Sequence, residues 1–225
     1  MEYLVSRELN LLYIVLDIIF LFLLGYLVIR KRNYRALLFG LAGGLIYFIV
    51  DYGIFYALLQ TRVVTGANPA LFLLWLSMSY GFTNFLWIWL FLDRDKDLIE
   101  WSLLIVLGWF SIALISQSFG SDFAQISISR GTSSYHGAMA VILLIGYLIV
   151  IIRNLNSTEN NKINILRLLF IGILVQFSWE AVLLISGIRP LGIKPLLINS
   201  LLETNLGIPY LYFIHKALRK PKDVA

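Results

Sequence analysis

The sequence predicts an all-α, polytopic membrane protein with seven transmembrane helices, arranged as two parallel three-helix repeats joined by a linker helix. Three observations support this class. The 225 residues are 60% hydrophobic and only 14% charged, with a mean hydropathy of +0.83, which excludes an ordinary soluble domain. Seven apolar stretches are long enough, or nearly so, to cross ~30 Å of hydrocarbon. Segments of the first three stretches also recur in the last three.

The seven stretches follow one another with short, polar links. The first is too long for the apolar core of a cleavable signal peptide and continues to Arg30. The seventh is interrupted by Gly207 and Pro209, and such a break frees backbone carbonyls for neighbours or a ligand. Because most links are short, residues 1–225 are expected to form a single transmembrane domain. The spans are placed at 9–29, 36–60, 69–92, 99–117, 136–152, 165–188 and 195–215.

The distribution of lysine and arginine predicts the orientation. With the N-terminus outside, the inner loops and tail hold thirteen of these residues, Lys220 and Lys222 among them, and the outer side holds five. This bias favours an N-out, C-in topology in a membrane, for which we expect a prokaryotic cell membrane. The net charge of +5 is concentrated in these short loops, so no nucleic-acid partner is expected.

An internal repeat is the strongest organising signal. "GYLVIRKRN" from Gly25 matches "GYLIVIIRN" from Gly146, and "TNFLWIWLF" from Thr83 matches "TNLGIPYLY" from Thr204, both at an offset of 121 residues. Between them, an offset of 129 aligns Gly43 with Gly172, Phe48 with Phe177 and Asp51 with Glu180. Residues 9–92 and 136–215 are therefore interpreted as repeats, and 99–117 as an unpaired linker helix. An odd linker gives both repeats the same direction, as in parallel-repeat transporters.

Four carboxylates lie inside the spans: Asp17, Asp51, Glu180 and Glu203. A charge in hydrocarbon costs at least ~2.5–3.5 kcal/mol, and all four are expected about 10–15 Å below the outer surface. Gln176 shares a helix face with Glu180. The repeat-related acids Asp51 and Glu180 are therefore candidates for a solute site and for carrying a proton. The alternative is structural: polar groups can hydrogen-bond between helices, at ~0.6 kcal/mol on average, and arginines at the outer helix ends can pair with the acids.

Amide and aromatic groups extend the candidate site. Asn84 and Asn205 are repeat mates, Tyr80 shares the face of Asn84, and Trp179 lies next to Glu180. No catalytic, cofactor or metal site is predicted, because cysteine is absent and the two histidines lie near opposite ends of their spans. The candidate solute-binding residues are Asp51, Glu180, Glu203, Gln176, Trp179, Asn84, Asn205 and Tyr80.

In layout the chain resembles the SWEET and PQ-loop transporters, which have seven spans in a three-plus-one-plus-three parallel repeat. The resemblance is one of layout, since spans 1, 2, 5 and 6 lack the family's helix prolines and Pro-Gln dipeptide. In SWEET-like proteins an Asn on each third helix and residues on both second helices flank the solute. The resemblance implies that Asn84 and Asn205 are the asparagines of the third helices that flank the solute. It also implies that Asp51, and Glu180 with Trp179, are the flanking residues of the two second helices.

Three functions are consistent with these patterns. The first is a transporter of a small polar or cationic solute, with a polar site between the two repeats and coupling to H⁺ or a cation. The second is an intramembrane enzyme on a lipid or isoprenoid, with Asp51, Glu180 or Glu203 as general acid. The third is a non-catalytic receptor or accessory subunit. Expected partners are membrane lipid and the small-molecule solute, and an oligomer is compatible with the sequence.

Overall fold

Helices dominate the computed structural model, which describes residues 5–131 and 135–219 and is 75% helical. This content is compatible with the all-α membrane class. Lys220 and Lys222, two of the cationic residues of the predicted inner side, lie outside the described residues. The α-helices are α1 (Leu11–Arg30), α2 (Tyr34–Phe48), α3 (Pro69–Ser77), α4 (Thr83–Asp93), α5 (Leu98–Phe119), α6 (His136–Leu155), α7 (Ile165–Ile185), α8 (Ile193–Leu202) and α9 (Ile208–Arg219).

Within the described residues, six helical segments are long and apolar enough to cross a membrane, and they correspond to the first six predicted spans. Large apolar side chains stand exposed along them, Phe22 at 77% and Leu166 at 78%, for example. Such extensive apolar exposure is expected where lipid covers the surface. The protein is therefore a multi-pass membrane protein by the length and composition of its helices. The six segments are Leu11–Arg30, Tyr34–Leu58, Pro69–Asp93, Leu98–Phe119, His136–Leu155 and Glu159–Ile185.

The seventh predicted span is divided. α8 ends at Leu202, α9 begins at Ile208, and a turn fills the five residues between them. The interruption lies where Gly207 and Pro209 predicted it, since proline at the start of α9 has no N–H to continue the preceding helix. Neither short helix has the length of the other spans.

A three-stranded antiparallel sheet closes one end of the first four spans, and nothing in the span pattern predicted it. β1 (Val5–Asn10) precedes α1, β2 (Arg62–Thr65) follows the second span, and β3 (Gln125–Arg130) follows α5. The strand order is β1-β3-β2. The links that were expected to be polar loops therefore contribute strands. Alternation in "QISISR" was the available signal: Ile126 and Ile128 are buried, and the serines between and after them are less so.

Two stretches of π-helix interrupt the second and third spans. The first, π1 (Ile49–Leu58), continues α2, and the second, π2 (Met78–Phe82), joins α3 to α4. Packing between these spans is close, because a Cβ on Gly81 would lie 2.9 Å from the Cα of Gly44. Short π-helical turns are rare and are frequent at functional sites.

Contacts divide the chain into two compact units. The described residues of the first unit are 5–131 and 181–192, and those of the second are 135–180 and 193–219. Within the first unit the third span, Pro69–Asp93, is central: 78% of its apolar 18-residue stretch is buried, against 28% of the corresponding stretch in each of the other three spans. The second unit contains α6, most of α7, α8 and α9.

Candidate functional site

Asp51 is the centre of a buried polar cluster in the first unit. Its side chain, in π1, forms an ion pair with Arg62 of β2 and accepts a hydrogen bond from Tyr80 Oη at 2.5 Å. Tyr80 lies in π2, so both π-helical stretches contribute to one cluster. The ring of Tyr47 packs edge-on against that of Tyr80, with 4.7 Å between centroids. Arg62, which follows the second span, thus pairs with Asp51, and this is the contact that the structural interpretation of the buried acids predicts.

Arg62 has neighbours on three sides. Its guanidinium carbon lies 4.8 Å above the ring centroid of Phe55, and Arg130 stands directly opposite it in the neighbouring strand. Burial and the like charge of Arg130 lower the pKa of Arg62, and the charge of Asp51 opposes this shift. Nε and Nη1 of Arg62 are buried and, among the described residues, have no hydrogen-bond partner. Asp51 therefore satisfies only part of the donor capacity of this side chain.

Asp17 is fully buried on α1 and accepts a hydrogen bond from Trp75 Nε1 at 2.9 Å. Tyr13, one turn earlier, packs edge-on against Trp75, with 5.9 Å between ring centroids. Asp17, which has no acidic counterpart in the second repeat, therefore accepts its hydrogen bond from the Trp75 indole within the first unit.

Asn84 differs from these groups because its amide is buried and has no protein partner among the described residues. The residue is 1% exposed, and neither Oδ1 nor Nδ2 forms a hydrogen bond with any of them. Ser77, on the same span, is also fully buried, and its hydroxyl has no hydrogen-bond partner among the described residues. Buried amides without hydrogen-bond partners are uncommon in proteins, and a bound water or ligand is one group that could form the missing hydrogen bonds.

A second polar network lies in the second unit. Gln176 on α7 donates from Nε2 to Glu180 Oε1 at 3.3 Å and to Glu203 Oε2 at 3.2 Å. Asn199 on α8 donates to the same oxygen of Glu180 at 3.1 Å, and Thr204 donates to Gln176 Oε1 at 2.7 Å. Glu180 is fully buried, whereas Glu203 is partly exposed in the turn that divides the seventh span. Two carboxylates thus share one amide donor.

Two further candidates of the second unit, Asn205 and Trp179, are also buried. Asn205 is fully buried, accepts from Tyr147 Oη at 3.1 Å and donates to the Ser200 carbonyl at 3.2 Å. It packs against Gly172, where a Cβ would clash with its amide. Trp179 is 3% exposed on α7.

The structure brings together some predicted residues and adds others. Asp51 joins Tyr80 in the first unit, and Gln176 joins Glu180 and Glu203 in the second. The sequence predicts Arg62 only as a structural partner of an acid, because it follows a span that contains a buried carboxylate. The contacts of Asn199 and Thr204 with α7 were not predictable, since they depend on how α7 packs against the divided span.

An apolar groove of about 430 Å³ lies between the first, second and third spans. Apart from the Tyr26 hydroxyl its lining is apolar, and Phe22 and Tyr26 on its wall are largely exposed. None of the candidate carboxylates lines it. The lining residues are Ile18, Leu21, Phe22, Gly25, Tyr26, Ile29, Leu37, Leu41, Met78 and Phe82.

No group of three or more His, Cys, Asp or Glu side chains that could hold a metal ion occurs within residues 5–131 and 135–219. Comparisons of the chain with protein-family models, with curated proteins and with solved structures gave no match.

Proposed function

We propose that the protein is an integral membrane transporter of a small polar or cationic solute, and that the network around Gln176 contacts this solute. The observation that carries the proposal is Glu203: a partly exposed carboxylate in the break of the seventh span, joined through one amide to the buried Glu180. Discontinuous helices form the solute and ion sites of many secondary transporters, because their unwound turns present free polar groups.

The chemistry of the network favours a cation or a hydrogen-bond donor as its ligand. Glu180 and Glu203 supply carboxylate oxygens, and the hydrogen bonds they receive within the network come from neutral amides. A solute ammonium or hydroxyl would therefore find acceptors at Glu203. The two acids are also the groups through which movement of a proton or a cation would be coupled to the solute.

Corresponding contacts within the two units support the repeat on which the transporter hypothesis rests. In the first unit Asp51 of the second span accepts from Tyr80 of the third. In the second unit Glu180 accepts from Asn199 of the divided span. In each unit a glycine on the second helix of the repeat also packs against the third helix. In the second unit this glycine is Gly172, which packs against Asn205. The SWEET-like layout and the N-out, C-in orientation remain part of this proposal.

The lipid-modifying enzyme receives less support. Its substrate would occupy a groove open to lipid, and such a groove exists among the first three spans. However, its lining contains no carboxylate to act as general acid, and the acid nearest in the sequence, Asp17, is held by Trp75. The groove is suited to an acyl chain as a bound lipid rather than to chemistry on it.

Ligand-dependent thermal stability tests the proposal. Purified protein in neutral detergent is screened with quaternary ammonium ions, amino acids, polyamines, sugars and Na⁺ at several pH values. We expect at least one solute to raise the Tm of the wild type and not of Glu203→Gln. Glu159→Gln is the matched control, because Glu159 has an 85% exposed side chain. An equal response of Glu203→Gln and the control would contradict the assignment of the site.

A further inference from the structure

The apolar groove among the first three spans ends beside cationic side chains. Its α1 wall runs from Ile18 to Ile29, and Arg30 and Arg32 follow within three residues. Tyr26, which lines the groove, lies one helical turn before Arg30, so the two side chains share a face of α1. The stripe of α1 that forms the wall thus continues into a charged group where the helix ends.

The two arginines at this end are available to a ligand. Arg30 and Arg32 are exposed and form no ion pair with any residue that the structure describes. Lys31 between them differs, because it binds Asp97 at 2.7 Å. The other acid of that turn, Asp95, accepts a hydrogen bond from an asparagine at 3.2 Å. In addition, α2 begins at Tyr34, and the positive end of its dipole favours an anion near the arginines.

The length of the groove matches one leaflet of a bilayer. From Ile18 to Ile29 the α1 wall rises about 16 Å at 1.5 Å per residue. One leaflet contributes about half of the ~30 Å of hydrocarbon. A membrane-spanning helix of another protein would need a surface about twice as long. An acyl chain whose headgroup lies at the cationic end therefore fits the groove better than a helix does.

We propose that this groove binds an anionic phospholipid of the surrounding bilayer. One acyl chain lies between the first three spans, and the headgroup phosphate contacts Arg30 and Arg32. The planar fork of arginine matches phosphate oxygens, and basic residues immediately beyond a transmembrane helix attract anionic lipids. The residues of this site are separate from the Gln176 network, so the inference does not rest on the proposed transport function.

Lipid-dependent stability tests the headgroup part of the site. The full-length protein in neutral detergent is titrated with phosphatidylglycerol or with phosphatidylcholine of the same acyl chains. We expect phosphatidylglycerol to raise the Tm at a lower concentration. Arg30→Gln and Arg32→Gln should each weaken the apparent affinity for phosphatidylglycerol about fivefold, with little effect on phosphatidylcholine. Lys162→Gln is the control, because it removes an exposed cation from the link between the fifth and sixth spans.

A substitution inside the groove separates binding there from general attraction to the membrane surface. Gly25 lines the groove, and a Cβ at this position would meet nothing within 4 Å outside its own stretch of helix. Gly25→Leu therefore places a side chain in the groove without forcing the backbones apart, and we expect it to abolish the response to phosphatidylglycerol. Gly53→Leu is the matched control, because Gly53 also has open space around it and does not line the groove.

The outcomes decide what occupies the groove. A wild-type response of Gly25→Leu to phosphatidylglycerol, or equal affinities of the wild type for the two lipids, would overturn the proposal. A dimer that forms without lipid and is lost in Gly25→Leu would assign the groove to a second copy of the chain and would also overturn it. Glu203→Gln should keep the full lipid response, so failure of this site and failure of the transport proposal are distinguishable.

Discussion

Removing one member of the Arg62–Asp51 ion pair should cost far more than removing both. The side chains are 1% and 4% exposed, so a single substitution leaves a desolvated charge without its partner. Breaking a buried pair in this way costs about 3–5 kcal/mol. For a chain of this length, each kcal/mol corresponds to about 2–4 °C in Tm, so Arg62→Met and Asp51→Asn should each lower Tm by roughly 6–20 °C.

The double variant should recover most of this loss. The amide introduced by Asp51→Asn would still offer an acceptor to Tyr80 Oη, which donates to the carboxylate in the wild type. We therefore expect the double variant to be at least about 2 kcal/mol more stable than the sum of the single effects. Thermal unfolding of the four proteins in one detergent measures this coupling.

An exposed pair provides the matched control for the cycle. Lys31 and Asp97 are joined by a 2.7 Å ion pair, with side chains 56% and 25% exposed. Because surface pairs contribute little, Lys31→Met should leave Tm almost unchanged. Additive effects at Arg62 and Asp51, or single variants as stable as the control, would refute the assignment of a buried, mutually dependent pair.

Individual contacts lead to three further predictions. Gly81→Ala should lose about 1–3 kcal/mol of stability because its Cβ meets the Gly44 backbone, whereas Gly25→Ala, with open space around it, should be neutral or slightly stabilising in the same unfolding assay. Asn84→Ala should leave Tm unchanged, since no hydrogen bond to a described residue is lost, and a marked loss of Tm would reveal a structural role. Hydrogen bonding from Lys31 lowers the pKa of Asp97, so the small stabilisation that this exposed pair gives should be present above about pH 4 and be lost as pH falls through the lowered value; we expect a Tm difference between wild type and Asp97→Asn that is slight at pH 7 and absent at pH 3.

Hydropathy was sufficient to predict the six long spans, because apolar length is a local property of the chain. The interruption of the seventh span was predictable for the same reason, from Gly207 and Pro209. The sheet was missed because its strands are far apart in sequence, 62–65 and 125–130 for example, and each is too short for a clear pattern. Pairing of such strands depends on the helices that bring them together.

The polar contacts differ in the same way: those within one helix were predictable from the sequence, and those between helices were not. The bond between Gln176 and Glu180 was predictable, since residues four apart share a helix face. The contact of Asp51 with Tyr80 was not, because both lie in π-helical stretches that shift the helical face away from the 3.6-residue period. Asn199 and Thr204 reach α7 only through tertiary packing.

Solute uptake into proteoliposomes tests the central claim most directly. The solute from the stability screen that raises Tm most is supplied in radiolabelled form to vesicles containing wild type, Glu203→Gln or Glu159→Gln. We predict uptake above that of empty vesicles for the wild type and the Glu159→Gln control, and its loss in Glu203→Gln. Wild-type uptake no greater than that of empty vesicles would contradict the transporter assignment.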